Sequence, residues 1–241
     1  MSAARDAVFA NIRGALRRGA LPDRAQAELR ARVAAHRRNP IPARATALDD
    51  AARVDLFVQM AEEVQATVAR LPSPTAVPDA VARYLASENL PAELVMAPDP
   101  SLDAIPWAVT PLLRIRRGRA QAADMVSLTP CVAAVAETGT LMLASGQDTP
   151  TTLNFLPDTH IVVVHADQVV AAYEDGWDRL RDASAAGEGA AGLPRTVNFI
   201  TGPSRTGDIE QRIVLGAHGP RRLHILVVEN REGGTDDRGG G

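Results

Sequence analysis

Between Met125 and Ala144 the chain is apolar on consecutive residues, small or β-branched, instead of on alternate ones. A strand that is apolar on both sides needs cover on both faces, the situation inside a parallel sheet and not in a sheet with one wet face. Ile161–His165, after the Leu156-Pro157-Asp158 turn, has the same character. Thr196–Ile200 and Leu223–Glu229 read as the last two strands, and Glu93–Ala97 as a short earlier one. Helical patterns lie between these strands. Asp49 or Asp50 caps a long helix whose apolar face carries Val54, Phe57, Val58, Ala61, Val64 and Val68, stopping before Pro72. A second helix runs from Pro78, a residue suited to a first turn, to about Ser87. A third spans roughly Val169 to Asp182. Trp107–Ile115 is an apolar region that runs into a basic turn at Arg114–Arg119. Strands alternating with helices make this an α/β chain.

Residues 1–48 read as a helical extension and linker ahead of a domain at 49–230. Ser2–Arg18 is amphipathic, with Val8, Ile12, Ala15 and Leu16 on one face; Arg24–His36 is a charged helix, and Asn39–Thr46 a proline-bearing arm. Ala183–Gly192 is expected to be a flexible loop, and 231–241 a polar, Gly-rich flexible tail with no core to join.

Composition narrows the function. The chain has 241 residues, 46% hydrophobic and 23% charged, enough for one large core under an ordinary wet surface. Its formal net charge of −3 offers no basic excess for nucleic acid or acidic membranes. No apolar run approaches the ~18 residues that cross a bilayer, and Arg5, Asp6 and Arg13 break any secretory apolar segment, so the cytoplasm is the expected compartment. The sequence contains no lysine, which excludes Schiff-base chemistry and a P-loop lysine. Cys131 stands alone, so the chain has no disulfide framework and no cysteine-rich iron–sulfur site of its own; its apolar setting points to a buried, inert thiol. No GxGxxG follows a strand. His160 and His165 fall on opposite faces of their strand, and His224 sits at the start or on the outer face of its own. None has a partner at ligand spacing, so neither a metal nor a resident cofactor is expected in this chain.

The most informative segment begins at Thr196 and reads as strand, loop, short helix, loop, strand. Gly202 and Pro203 stop the first strand, Asp208 caps a helix over Ile209–Leu215, and Gly216 ends it; the flanking strands would then be a parallel pair. The loop Gly202–Gly207 would face an anion with free amides and a helix dipole, Ser204 and Thr206 adding hydroxyls and Arg205 a forked charge. A carboxylate or phosphate is the expected guest. The same residues also fit a plain cap, with Arg205 in a structural ion pair. Glu137, Thr138, Gly139 and Thr140 set a carboxylate and two hydroxyls beside a glycine, either as part of the site or as a hairpin turn with Glu137 in solvent. His218, between Gly216 and Pro220, can donate to an anion or move a proton near neutral pH, or is a surface histidine in a turn.

The strings AETGTLML from Ala136, LPDTHIVVV from Leu156, GPSRTGDIE from Gly202 and GAHGP from Gly216 resemble the LUD-domain family, in the order and spacing of its lactate-utilization branch. The resemblance covers about residues 50–230, and GPSRTGDIE followed closely by GAHGP is its most specific part. Thr151–Phe155 departs from the family pattern, which has a serine–leucine pair and a nearby arginine there, and Gly207 stands where alanine is usual. The resemblance implies an α/β/α sandwich like that of the NagB/RpiA/CoA-transferase group. It also implies an accessory part in oxidising L-lactate to pyruvate, alongside separate subunits that hold the iron–sulfur clusters. In that setting Ser204, Arg205 and Thr206, with the Gly207 and Asp208 amides, would cradle a small anion, and Glu137 and His218 would orient it or handle a proton. Two alternatives stand beside this: an acyl-transfer enzyme of the CoA-transferase kind using Glu137, and an interaction module without turnover.

Overall fold

The computed structural model describes residues 3–19, 21–186, 193–209 and 212–229, with backbone alone at 185–186, 206–209 and 212–215. It divides into two compact units, Met1–Ile41 and Pro42–Gly241. The first holds α1 (Ala3–Ala15) and α2 (Asp23–Ala34). On α1 the Phe9 ring lies one turn from both Arg5 and Arg13, whose guanidinium carbons stand 5.5 and 5.8 Å from its centroid.

The second unit runs α3 (Ala43–Thr46), α4 (Asp50–Glu63), β1 (Thr67–Leu71), α5 (Val77–Ser87), β2 (Glu93–Met96), α6 (Pro100–Asp103) and β3 (Arg114–Arg117). It continues with β4 (Val126–Pro130), β5 (Ala133–Val135), β6 (Thr140–Ala144), α7 (Thr152–Phe155), β7 (Thr159–His165), β8 (Val169–Val170) and α8 (Tyr173–Ala186). The last strands are β9 (Val197–Ile200), β10 (Arg205–Ile209), β11 (Arg212–Leu215) and β12 (Arg222–Val228). Asp49 caps α4 by accepting from the Ala52 amide at 2.8 Å, and Pro78 sits in the first turn of α5.

Six strands form the central sheet in the order β1-β12-β7-β4-β2-β3, each parallel to its neighbours. At its centre Thr159–His165 pairs with Arg222–Val228 over the whole of both strands. Ile161, Val163, Leu226 and Val228 meet α5 residues Val77, Val81 and Leu85 on one face. Val162, Val164, Ile225 and Val227 meet Val54, Phe57 and Ala61 of α4 on the other. This double cover is why both strands are apolar on consecutive residues. The mixed α/β architecture, a parallel sheet with helices on both faces and a helical N-terminal segment, is the expected one. A second sheet, β8-β5-β6-β9, adds to it on the α4 side. Its residues Ala134, Leu141 and Leu143 join the α4 core, whereas Ala133 and Met142 turn outward to Leu180 and Trp177 of α8.

Several local expectations are corrected. Helix α4 ends at Glu63, because Gln65 takes a left-handed φ of +70° and the Ala66 amide bonds back to the Ala61 carbonyl at 3.0 Å. Val68 therefore lies in β1, beside β12. Arg114–Arg117 is no turn but an edge strand, where charged side chains discourage pairing with another chain. Ile209–Leu215 is not a helix. Arg205–Ile209 and Arg212–Leu215 form an antiparallel ribbon with an irregularity between Thr206 and Ile209, where Gly207 and Asp208 fall. Consequently β9 and β12 are not a parallel pair, and β9 runs antiparallel to β6 in the second sheet. His224 lies near the start of β12 but is buried: its ring stacks on Tyr84 with centroids 3.8 Å apart, and Nδ1 shares a 2.8 Å hydrogen bond with the Thr67 hydroxyl. The tail expected at 231–241 lies outside the described residues. So does 187–192 of the expected loop, whose first residues instead continue α8 through Ala186.

Candidate functional site

Two glycine-bearing loops close over the ends of the second sheet. The first, Thr201–Ser204, leaves β9 through Gly202, whose φ of +74° suits glycine and whose α-carbon packs so tightly that a Cβ would lie 2.4 Å from the Val64 carbonyl oxygen. The second, Gly216–Pro220, turns at Gly216 with φ of +80°. Ser204 joins them. Its amide donates to the Pro220 carbonyl at 2.8 Å, its carbonyl accepts from the Gly216 amide at 3.0 Å, and its hydroxyl accepts from the His218 amide at 3.3 Å. Beneath the loops lies a cavity of about 380 Å³, lined among others by Asn154, His160, Thr201, Ser204, Arg205 and His218.

Arg205 is exposed, and its Nη2 donates to the Val64 carbonyl at 2.9 Å. That carbonyl sits at the C-terminal end of α4, where backbone oxygens lack helical partners and a cation is favoured. The structural role weighed for Arg205 is thus present, with a helix end in place of an ion-pair partner. A guanidinium has five N–H donors, so this contact leaves others for a guest. The helix dipole anticipated at Asp208 does not exist, since the chain there is extended. Thr206, Gly207 and Asp208 belong to β10, and their backbone places them just beyond Arg205.

The Glu137–Thr140 turn joins β5 to β6 as a hairpin. Gly139, with φ of +63°, presses on α4 so closely that a Cβ would stand 2.4 Å from the Ala61 nitrogen. The hydroxyls behind it form one network. Thr138 lies 2.7 Å from Thr140 and 2.9 Å from Tyr173, while Thr140 reaches Tyr173 at 3.0 Å and Thr201 at 2.7 Å. Through Thr201 this network touches the cavity wall. Glu137 does not line the cavity, and its carboxylate makes no hydrogen bond among the described residues. The fold therefore gathers Gly202, Ser204, Arg205 and His218 at one opening, brings Thr140 to its edge, and leaves Glu137 aside.

Sequence reasoning missed Asn154, His160, Tyr173 and Thr201. His160 is fully buried, and burial pushes its imidazole down to about 3, so it is neutral. Its Nε2 shares a 2.8 Å hydrogen bond with Thr129, whereas Nδ1 has no partner. Asn154, also buried, sits in the short helix α7. A histidine and an asparagine inside otherwise apolar surroundings were the available signal, because such groups need hydrogen-bond partners that the neighbouring residues do not supply. Among the described residues no three His, Cys, Asp or Glu side chains gather as a metal-holding group, and no helix is long and apolar enough to cross a membrane.

Comparison with known proteins adds a family match. The LUD domain model matches residues 54–228. Lactate utilization protein C of Deinococcus radiodurans is 41% identical over 107 residues, 44% of this chain and 47% of that protein. The protein of the same name from Geobacillus thermodenitrificans is 37% identical over 97 residues, 40% and 39% of the two chains. That from Bacillus subtilis is 34% identical over 106 residues, 44% and 43%. Each of these matches spans less than half of the relative's length. A crystal structure of a DUF162 family protein from Deinococcus radiodurans superposes with a TM-score of 0.55 at 25% identity, covering 75% of this chain and 99% of that one.

Proposed function

This chain belongs to the LUD-domain family, and from that premise we propose that it is a lactate-utilization accessory protein that binds a small anion in the cavity beneath Ser204, Arg205 and His218. The lactate assignment draws on the relatives named lactate utilization protein C. The carrying observation for the anion is the convergence of the Arg205 guanidinium, the Ser204 hydroxyl and the His218 ring on an opening of about 380 Å³ whose loops are stitched together by Ser204. Arg205 supplies charge and fork geometry, Ser204 has its O–H free to donate, and His218 supplies an imidazole ring at the mouth. In this reading the oxidation of L-lactate to pyruvate runs on iron–sulfur clusters of separate cytoplasmic subunits, and this chain holds or delivers the carboxylate. The lone cysteine is compatible with that division of labour. Acyl transfer through Glu137 is disfavoured, since that carboxylate stands away from the cavity.

Calorimetric titration of the full chain with L-lactate, pyruvate and inorganic phosphate tests the anion. At least one should bind, and Arg205→Ala should weaken it roughly 10- to 100-fold, the worth of a charge-assisted hydrogen bond. No binding by any of the three, or equal binding to the variant, would refute the site. Growth on L-lactate and co-purification of iron–sulfur subunits with a tagged chain test the role: growth unaffected by deleting the gene would refute it.

A further inference from the structure

A larger cavity than the one at Arg205 lies elsewhere. It measures about 540 Å³ and opens at the carboxyl ends of β2 and β4, bounded by Asp99, Ser101, Thr129 and Cys131 on the sheet side. Leu143 of β6 and Leu180 of α8 form its apolar wall. Its place is set by topology. From β2 the chain goes to β3 at one edge of the sheet, and from β4 it goes to β7 in the opposite direction, so the strand order reverses between β2 and β4. The two strands are adjacent, with Met96 beside Leu128 and the Ala97 amide bonded to the Leu128 carbonyl at 2.9 Å. Loops leaving such a pair diverge and leave a crevice above the strand ends, where α/β sheets bind ligands.

The lining specifies the guest. Among the described residues Asp99 is the only charged one in the lining, so an anion is disfavoured there, in contrast to the Arg205 cavity. One carboxylate oxygen of Asp99 accepts from the Ser101 amide at 2.9 Å and the Ser101 hydroxyl at 2.5 Å; no partner among the described residues holds the other. A carboxylate fixed in this way accepts well from hydroxyl groups. Asn154 lines the cavity too, is 3% exposed, and its side-chain amide makes no hydrogen bond among the described residues. A buried, unpartnered amide offers a donor and an acceptor to a guest. The opposing leucines give a flat apolar surface, and the volume falls within the ~300–1,000 Å³ of small-molecule sites. We propose that this crevice is a second binding site and that it takes a nucleoside, with sugar hydroxyls on Asp99 and the base between Asn154 and the Leu143–Leu180 wall. Asn154 lines both cavities, and the Thr129–His160 hydrogen bond joins a residue of one to a residue of the other. The two cavities therefore share a wall. The inference stands on the crevice itself and is independent of the lactate reading.

Calorimetry on the full chain with adenosine, guanosine, cytidine, uridine and their 5′-monophosphates tests it. At least one nucleoside should bind, and Asp99→Asn should weaken it about tenfold or more. Asparagine keeps the cap on α6, so that variant should retain the fold. Ala183→Trp, at an exposed position on the cavity rim, should abolish binding by filling the space. Absence of binding by all four nucleosides at millimolar concentration, or full binding by both Asp99→Asn and Ala183→Trp, would overturn the assignment.

Discussion

Lowering the pH from 8 to 5 should remove about 4 kcal/mol of folding stability, carried by two buried imidazoles. Burial pushes His160 down to about 3 and His224 down to about 4, the latter opposed in part by the hydrogen bond to Thr67. The sign follows from proton counting. Each ring binds fewer protons folded than unfolded, so its neutral form stabilises the fold fully above the ordinary value of about 6.5. That contribution is lost as pH falls below 6.5 and levels off only below the folded-state values. At pH 5 an unfolded histidine is almost wholly protonated while both buried ones are not. At about 1.4 kcal/mol per pH unit, 1.5 units give roughly 2 kcal/mol for each ring. Domain stabilities run to about 5–15 kcal/mol, so the loss should be large on that scale. Urea unfolding followed by circular dichroism, at pH 8 and pH 5 and constant ionic strength, measures it. His224→Gln should halve the pH dependence, to about 2 kcal/mol, whatever it does to stability at pH 8. A wild-type difference under 1 kcal/mol would refute the reasoning, as would a variant with the same pH dependence as wild type.

Two further outcomes follow from packing. Gly139→Ala should cost about 3 kcal/mol or more, since it combines a left-handed backbone with a Cβ driven into the α4 backbone; a midpoint of urea unfolding within error of wild type would contradict this. Cys131, whose buried thiol is pushed up to about 12, should react slowly with a thiol-specific disulfide reagent at pH 8 until the chain unfolds, because little of it is thiolate, and rapid labelling of the native protein would contradict this.

Much of the architecture could be read from residue pattern. Strands β7 and β12 announced themselves because both of their faces are covered, and Asp49 and Pro78 marked where helices begin. The failures have physical causes. Val68 continues the helical spacing of Val54–Val64 by accident, and the break between them rests on a left-handed glutamine, a residue with no special preference for that conformation. Ile209 and Ile213, four apart, suit one helix face, yet they sit on opposite strands of a ribbon whose pairing depends on the whole segment. Around the cavity proposed to bind an anion, the loops carrying Gly202, Ser204, Arg205 and His218 could be placed because glycines and prolines punctuate them. Asn154 and His160 could not, since tertiary packing alone carries α7 and the start of β7 beneath those loops.

The contact between Arg205 and the last turn of α4 has a mechanical consequence. An unattached arginine would sweep through many rotamers, and stilling it would draw on the affinity of anything it grips, by about 0.5–1.5 kcal/mol. Here one tooth of the fork is already hooked to a helix that is itself embedded in the core. In the proposed anion site its remaining donors would be held in place by a segment far away in the chain. Lengthening, unwinding or tilting the end of α4 would swing the guanidinium off target while every residue around the opening stayed unchanged.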